Sequence, residues 1–390
     1  MDVLAMDVSQ DLTVAIEHRH DKEILIHFLT AAAGEPHPLA AKPLLDATGT
    51  SASVDSPDAY YHVQSVHISG SNVAWVIPSF ISGLDTLQCW NWKTGFLVWE
   101  RQCDGLAGYT FLDSRFVLTV VHRGQEPLLC IHDLESRADG GDTTAGPVCS
   151  LELPRASAGY VEVVHVQSRT TTDSRNAAVP FVRDPMSTAV VLQLAVGRDS
   201  EGATSDIIVM IPHRTMYDQI KEAISSSCGT QADRVVEWNM WGLSGAVVLD
   251  LPPKAQAAEN GGWFVPPDVW PQSFGSRLGL LLCDSPDITS GVVVTVDVHP
   301  WAAKCARRYS GHLGHGVYRG GPTASSVDGP SPDVLRRLAS MSKMSHALQV
   351  GPRIVFPPGQ RPSRIITAHD GFAVAFEGDE SEVGLRVFTV

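Results

Sequence analysis

Short runs rich in Val, Ile, Leu, Thr and aromatic residues recur from one end of the chain to the other, each bounded by Gly, Pro, Asp or Ser. LTVAIEHR (12–19), SNVAWVIP (71–78), PLLCIHDL (127–134), AVVLQLAV (189–196), DIIVMIP (206–212), LGLLLC (278–283) and FAVAFE (372–377) are representative. Runs of this length and punctuation read as strands. A chain of many short strands with little helical periodicity has to bury sheet against sheet, so the expected class is all-β.

The runs group into units of about four strands. Residues 60–101 read as VQSVHI, VAWVI, TLQCWNW and FLVWE, with Lys93-Thr94-Gly95 turning the third strand into the fourth. Gly95 supplies a position that tolerates positive φ. Alternation puts Trp90 and Trp92 on one face of their strand, and with Trp99 they are expected to fill the wedge between neighbouring sheets rather than form an exposed aromatic platform. Residues 108–153 repeat the pattern. Four-strand units recurring every 40–50 residues or so match the period of β-propeller blades. The expectation is one propeller domain over 1–390, with seven blades, six being the alternative, and one or two peripheral helices. Ring closure needs the chain ends, and RIITAHD, FAVAFE and LRVFTV supply only three strands. The last blade is therefore expected to have three strands, or to take its outer strand from residues outside the repeat.

Gly, Pro, Ser and Asp are concentrated near 134–147, 168–178, 252–276 and 309–333, which read as loop insertions. Two stretches read as helices. In RTMYDQIKEAISSSCG (214–229), Thr215 and Asp218 form a capping-box pattern and Met216, Ile220 and Ile224 share a face. The other is PDVLRRLASMSKMSHAL (332–348).

Charge narrows the function classes. The net charge is −14, against which general binding to a phosphate backbone is not expected. Seven cysteines, an odd number without CxxC spacing, read as reduced thiols of a cytoplasmic or nuclear protein rather than a secreted disulfide framework. MDVLAMDVSQDL has no basic n-region or apolar h-region, and no apolar run nears the ~18 residues of a membrane span. No nucleic-acid or membrane partner is expected.

Catalytic and metal patterns do not assemble. His18 and His20 are two ligands without a third, and Cys305, His312 and His315 fit no zinc spacing. The glycines of CARRYSGHLGHGVYRGG (305–321) lack the Gly-Lys-Ser/Thr ending and following helix of a phosphate loop, so a mobile loop is expected there. No catalytic residue, metal or cofactor is expected. The candidate partner-binding residues are Trp263, Phe264 and Trp270 in a proline-stiffened aromatic insertion, and the basic set Lys304, Arg307, Arg308 and Arg319.

WNWKTG (90–95) resembles the inter-strand turn of WD-repeat-like propellers, and especially the C-terminal region of F-box proteins expanded in mushroom-forming fungi. GEPHPLAAKP (34–43) is similar to their Gly-x-x-His-Pro segment, VEWNMWG (236–242) to their Trp-rich turn, FGSRLGLLL (274–282) to their Tyr/Phe-Gly-Ser-Arg segment and VVTVDVHP (293–300) to their strand end. The resemblance implies a non-enzymatic, propeller-like region that recognises the substrates of a cullin ubiquitin ligase. The helical F-box that recruits a Skp-type adaptor is absent from this chain, where a strand pattern already begins at residue 12, so no such adaptor is expected to bind here. The alternative is a propeller that binds or hydrolyses a small molecule at its central channel.

Overall fold

A computed structural model describes residues 2–19, 24–47, 64–78, 83–124, 126–135, 146–154, 160–168, 188–197, 204–226, 235–251, 263–266, 269–284, 287–302, 304, 316–320, 346–356, 358–367, 371–378 and 383–389. The chain is all-β, built of consecutive antiparallel meanders in the manner of propeller blades, with few helices. It divides into two compact units. One comprises residues 1–151, 170–183 and 223–235; the other comprises 152–169, 184–222 and 236–390.

In the first unit, one sheet is β1 (Asp2–Asp7), β2 (Leu12–His18), β3 (Ile24–Thr30) and β4 (Leu44–Asp46), in that order. The second is β5 (Gln64–Ser69), β6 (Asn72–Pro78), β7 (Leu84–Asn91) and β8 (Phe96–Asp104). The third is β9 (Leu106–Phe111), β10 (Phe116–Arg123), β11 (Glu126–Asp133) and β12 (Cys149–Glu152). The first strands β1, β5 and β9 lie side by side.

Alternation gives each middle sheet two apolar faces, and both are used. Trp75, Trp90 and Trp92 of the second sheet meet Val14, Ile16, Ile26 and Phe28 of the first. Its opposite face, with Val76, Leu87, Cys89 and Trp99, meets Tyr109, Phe111 and Val117 of the third. Trp90 and Trp92 are 8% and 0% exposed, so the expected packing role is the one observed. Polar atoms in these wedges are matched. Gln88 is fully buried and its side-chain oxygen accepts from the N–H groups of two stacked indoles, Trp75 Nε1 (3.2 Å) and Trp90 Nε1 (3.1 Å). The Tyr109 hydroxyl reaches the carbonyls of Ala74 (2.7 Å) and Ser65 (3.0 Å), which ties β9 to the sheet before it.

The second unit opens with β13 (Tyr160–Ser168), β14 (Ala189–Gly197) and β15 (Thr204–Pro212). Helix α1 (His213–Ser226) follows, its residues from Ala223 onward counting with the first unit. Strand β16 (Val235–Val236) closes the first unit's last segment and adds to the β12 edge of its third sheet. Helix α2 (Trp238–Gly245) and β17 (Val247–Leu251), which completes the β13–β14–β15 sheet, belong to the second unit. The remaining strands are β18 (Trp270–Phe274), β19 (Arg277–Cys283), β20 (Ser290–Asp297), β21 (Gly316–Gly320), β22 (His346–Val355), β23 (Gln360–Thr367), β24 (Gly371–Gly378) and β25 (Val383–Thr389). They form two blade-like sheets, one around β19–β20–β22 and one of β23–β24–β25, joined because β18 pairs antiparallel with β19 and parallel with β23. Apolar wedges fill the spaces on both sides of the β19–β20–β22 sheet.

The described residues thus supply six blade-like sheets, the alternative count rather than the expected seven. The last sheet has three antiparallel strands of its own, as expected. Its fourth, β18, joins at the β23 edge instead of the outer one, and β25 pairs with β24 alone among the described strands.

Several expectations need correction. Helix α1 is present, but Thr215 does not cap it; its hydroxyl donates to Gly245 O at 2.8 Å. The buried face runs Met216, Ile220, Ala223, while Ile224 is 55% exposed, because 3.6 residues per turn carries the stripe back to i+7. VEWNMWG is a helix rather than a turn: α2 buries Trp241, whose Nε1 donates to Glu152 O at 3.1 Å. Of the second expected helix, 332–345 lies outside the described residues, and His346-Ala347-Leu348 begins β22. The insertion 252–276 is stitched to sheets through β18 and through Phe264, which exchanges backbone hydrogen bonds of 2.9 Å with Cys283 in both directions. Within the expected mobile loop, Gly316–Gly320 is strand, paired parallel with β22.

Candidate protein-binding surface

The surface begins at a tight turn. Asn91 ends β7, and its side-chain oxygen accepts from the amides of Lys93 (3.1 Å) and Thr94 (3.0 Å), while its carbonyl accepts from Gly95 N (2.8 Å). This local satisfaction is what Asn offers a turn. Gly95 sits at φ +70°, and a Cβ there would come within 2.9 Å of the aliphatic chain of Lys42. The segment before β4 runs against this turn, with Ala41 N donating to Lys93 O at 2.8 Å.

Beneath the turn, Trp92 is clamped. Its indole N–H donates to Gly70 O (3.1 Å), and the His37 ring stands edge-on to it with centroids 4.8 Å apart. His37 is oriented by Gln10 O on Nε2 (3.1 Å) and by Leu39 N, which donates to Nδ1 (3.2 Å). Above the turn, the side chains face water. Phe96 is 68% exposed and Leu39 61%, and Leu44 and Val98 are exposed too. Lys42 Nζ lies 5.8 Å over the Phe96 ring, and Lys93 Nζ 5.2 Å over that of Trp92. A bulge in the β7–β8 ladder, where Trp90 pairs with Leu97 but Cys89 with Trp99, leaves Val98 with no residue opposite.

The aromatic insertion is divided. Phe264 is 1% exposed, inside the wedge beside the last sheet, so it is a core side chain and not a surface contact. Trp263 is partly buried against the neighbouring wedge, 6.0 Å from the Arg353 guanidinium. Trp270 lies in β18 opposite Arg364. Lys304 is exposed, and its ammonium lies 5.4 Å over the indole of Trp301, itself 65% exposed. Arg319 is in β21, and Arg307 and Arg308 lie outside the described residues. Of the three whose side chains are described, Phe264 is core, Trp263 is partly buried and Lys304 is exposed, so these three do not form one exposed surface. Of the residues that sequence reasoning missed, Phe96 and Val98 carried a signal in WNWKTGFLV, apolar residues directly after a turn glycine on a strand that ends a unit, whereas Leu39 and Lys42 lie in GEPHPLAAKP and carried no such signal.

Two histidines could suggest chemistry. His213 is fully buried, with Ser168 Oγ at 2.9 Å from Nε2 and Thr188 Oγ1 at 2.7 Å from Nδ1. The group on Nδ1 is a hydroxyl, which has no charge to stabilise an imidazolium, and burial pushes His213 down to about 4. The arrangement ties β13, the start of β14 and α1 together. His132 is likewise buried. Arg101 Nη1 lies 3.1 Å from Nδ1 and Thr119 Oγ1 3.0 Å from Nε2. A guanidinium only donates, so Nδ1 accepts and Nε2 carries the proton. Burial, aided by the charge of Arg101, pushes this histidine down to about 3. Among the described residues, no group of three or more His, Cys, Asp and Glu could hold a metal ion. Nor is any helix among them long and apolar enough to cross a membrane.

No protein-family model matches this chain, and no curated protein matches it. Solved structures do. The β-propeller domain of the trilobed protease from Pyrococcus furiosus is 8% identical, with 100% of this chain and 94% of that one covered and a TM-score of 0.36. A prolyl endopeptidase is 9% identical over 98% of this chain and 41% of its own, with a TM-score of 0.42. The WD40 domain of SCAP from fission yeast is 9% identical over 99% and 84%, with a TM-score of 0.30.

Proposed function

We propose that this chain is a non-enzymatic protein-interaction module that presents blade-edge turns and outer strands to a protein partner. The observation that carries this reading is the exposed apolar set around the β7–β8 turn. Phe96 is 68% exposed and Val98 of the same strand is exposed, as are Leu39 and Leu44 of the segment whose Ala41 is hydrogen-bonded to the turn, on a framework locked by Trp92, His37 and Asn91. Aromatic side chains held rigidly at a surface lose little freedom on binding, which suits them to interfaces.

The finer reading is a recognition region of the kind found in fungal F-box proteins. Contacts between the resembling segments support it. His37 of the Gly-x-x-His-Pro segment packs on Trp92 of WNWKTG. Asp297 of the DVHP strand end accepts from Ser276 Oγ (2.7 Å) and Arg277 Nε (2.9 Å) of the FGSR segment and from His299 N (2.9 Å). Under this reading the blades bind a substrate protein, not a Skp-type adaptor. A reducing compartment, cytosol or nucleus, is in keeping with the five described cysteines, all buried thiols. The test is affinity purification from the source organism with the chain as bait. A specific protein that recurs across replicates supports the reading, and recovery of none counts against it.

A further inference from the structure

We infer that the β7–β8 corner takes an acidic protein segment bearing apolar side chains, with its carboxylates on Lys42 and Lys93 and its apolar groups on Leu39, Phe96 and Val98. The inference rests on the protein-interaction reading and specifies the partner's chemistry.

Charge carries it. The chain has a net charge of −14 and only seven lysines. Two of the seven, Lys42 and Lys93, meet at this corner, where the backbones of Ala41 and Lys93 are hydrogen-bonded. Both are exposed, and neither is paired with a carboxylate among the described residues. Each ammonium lies over an aromatic face, which holds it in place without neutralising it. A local positive corner on an otherwise acidic molecule attracts a carboxylate-bearing segment. Position supplies the rest, since the charges flank exposed Phe96, which is fixed by the turn and not by a mobile loop.

The mode of recognition follows from the edge. Strand β8 is the outer strand of its sheet, but the bulge at Val98 breaks the regular spacing of its ladder. A regular added strand is disfavoured at such an edge, so the side chains make the contact.

A short fluorescein-labelled peptide alternating glutamate with valine and leucine is the probe, and the same peptide with lysine in place of glutamate is the control; the readout is anisotropy. The wild type is expected to bind the acidic peptide about tenfold or more tightly than the basic one. Lys42→Glu with Lys93→Glu should weaken it about tenfold, and Phe96→Asp should do so independently. Unchanged thermal melts and tryptophan emission certify that the variants are folded. No preference for the acidic peptide, or variants that bind it like the wild type, overturns the assignment. The two failures are separable by using both proteins as bait. The same specific partner on wild type and charge-reversed variant condemns this surface alone, whereas no specific partner on either condemns the interaction reading itself.

Discussion

The imidazole of His37 stands edge-on against the indole of Trp92, 4.8 Å between centroids and 81° between planes. The two residues come from different sheets of the same unit. Their contact turns two short sequence segments into one clamp between blades, and the exposed corner at Lys42 and Phe96 is built on it.

Trp92→Ala should destabilise the protein by about 3–5 kcal/mol, the range for deleting a fully buried aromatic side chain. Urea unfolding followed by far-UV circular dichroism measures it. Trp92→Phe should cost less, because a ring still fills most of the wedge although the hydrogen bond to Gly70 O is lost.

Strand β8 gives a paired control. Phe96 is 68% exposed and Trp99 6%, three residues apart. Phe96→Ala should change stability by about 0.5 kcal/mol or less, as surface substitutions do, while Trp99→Ala should cost several times more. Equal effects would mean that Phe96 is not a free surface residue.

Gly242 should tolerate no side chain while Trp238 is present. A Cβ at 242 would fall within 2.1 Å of the Trp238 ring. Gly242→Ala is expected to destabilise by about 1–3 kcal/mol through overpacking. Trp238→Ala in the same chain should recover part of that loss, because it removes the clashing ring; a double-mutant cycle reads the coupling.

Acid should destabilise the fold through His132. In the native state this histidine is pushed down to about 3, whereas in the unfolded chain it titrates near the ordinary value of about 6.5. Between those values the unfolded state binds the extra proton. The stabilisation is therefore complete above the unfolded pKa and is lost as the pH falls from about 6.5 toward about 3, at up to about 1.4 kcal/mol per pH unit. His132→Gln should flatten the dependence of stability on pH between about 5 and 6.5, measured by urea unfolding. An unchanged slope would show that the ring is protonated or solvated in the native state.

Strand identity was legible because β-branched runs bounded by Gly, Pro and Asp report locally on the backbone. LTVAIEHR and AVVLQLAV lie where β2 and β14 form. The burial of Trp90 and Trp92 followed from the alternation of side chains together with their size. What failed was non-local. Strand β18 was hidden in a proline-rich stretch because its partners, β19 and β23, lie on its two sides, and β23 is about ninety residues away in the sequence. VEWNMWG gives no apolar periodicity to announce α2, whose form depends on Trp238 lying over Gly242. The candidate surface was missed for the same reason. Lys42 and Phe96 are more than fifty residues apart, and only the packing of one sheet on the next brings the ammonium over the ring.

A protein-binding surface at the β7–β8 corner would be captured by photo-crosslinking. A photo-reactive phenylalanine analogue in place of Phe96 is irradiated in extract of the source organism, with the same group in place of exposed Glu135 as control. A discrete protein adduct is expected from position 96, absent from position 135 and lost when Lys42 and Lys93 are reversed to glutamate. No adduct at 96, or the same adducts from both positions, would contradict it.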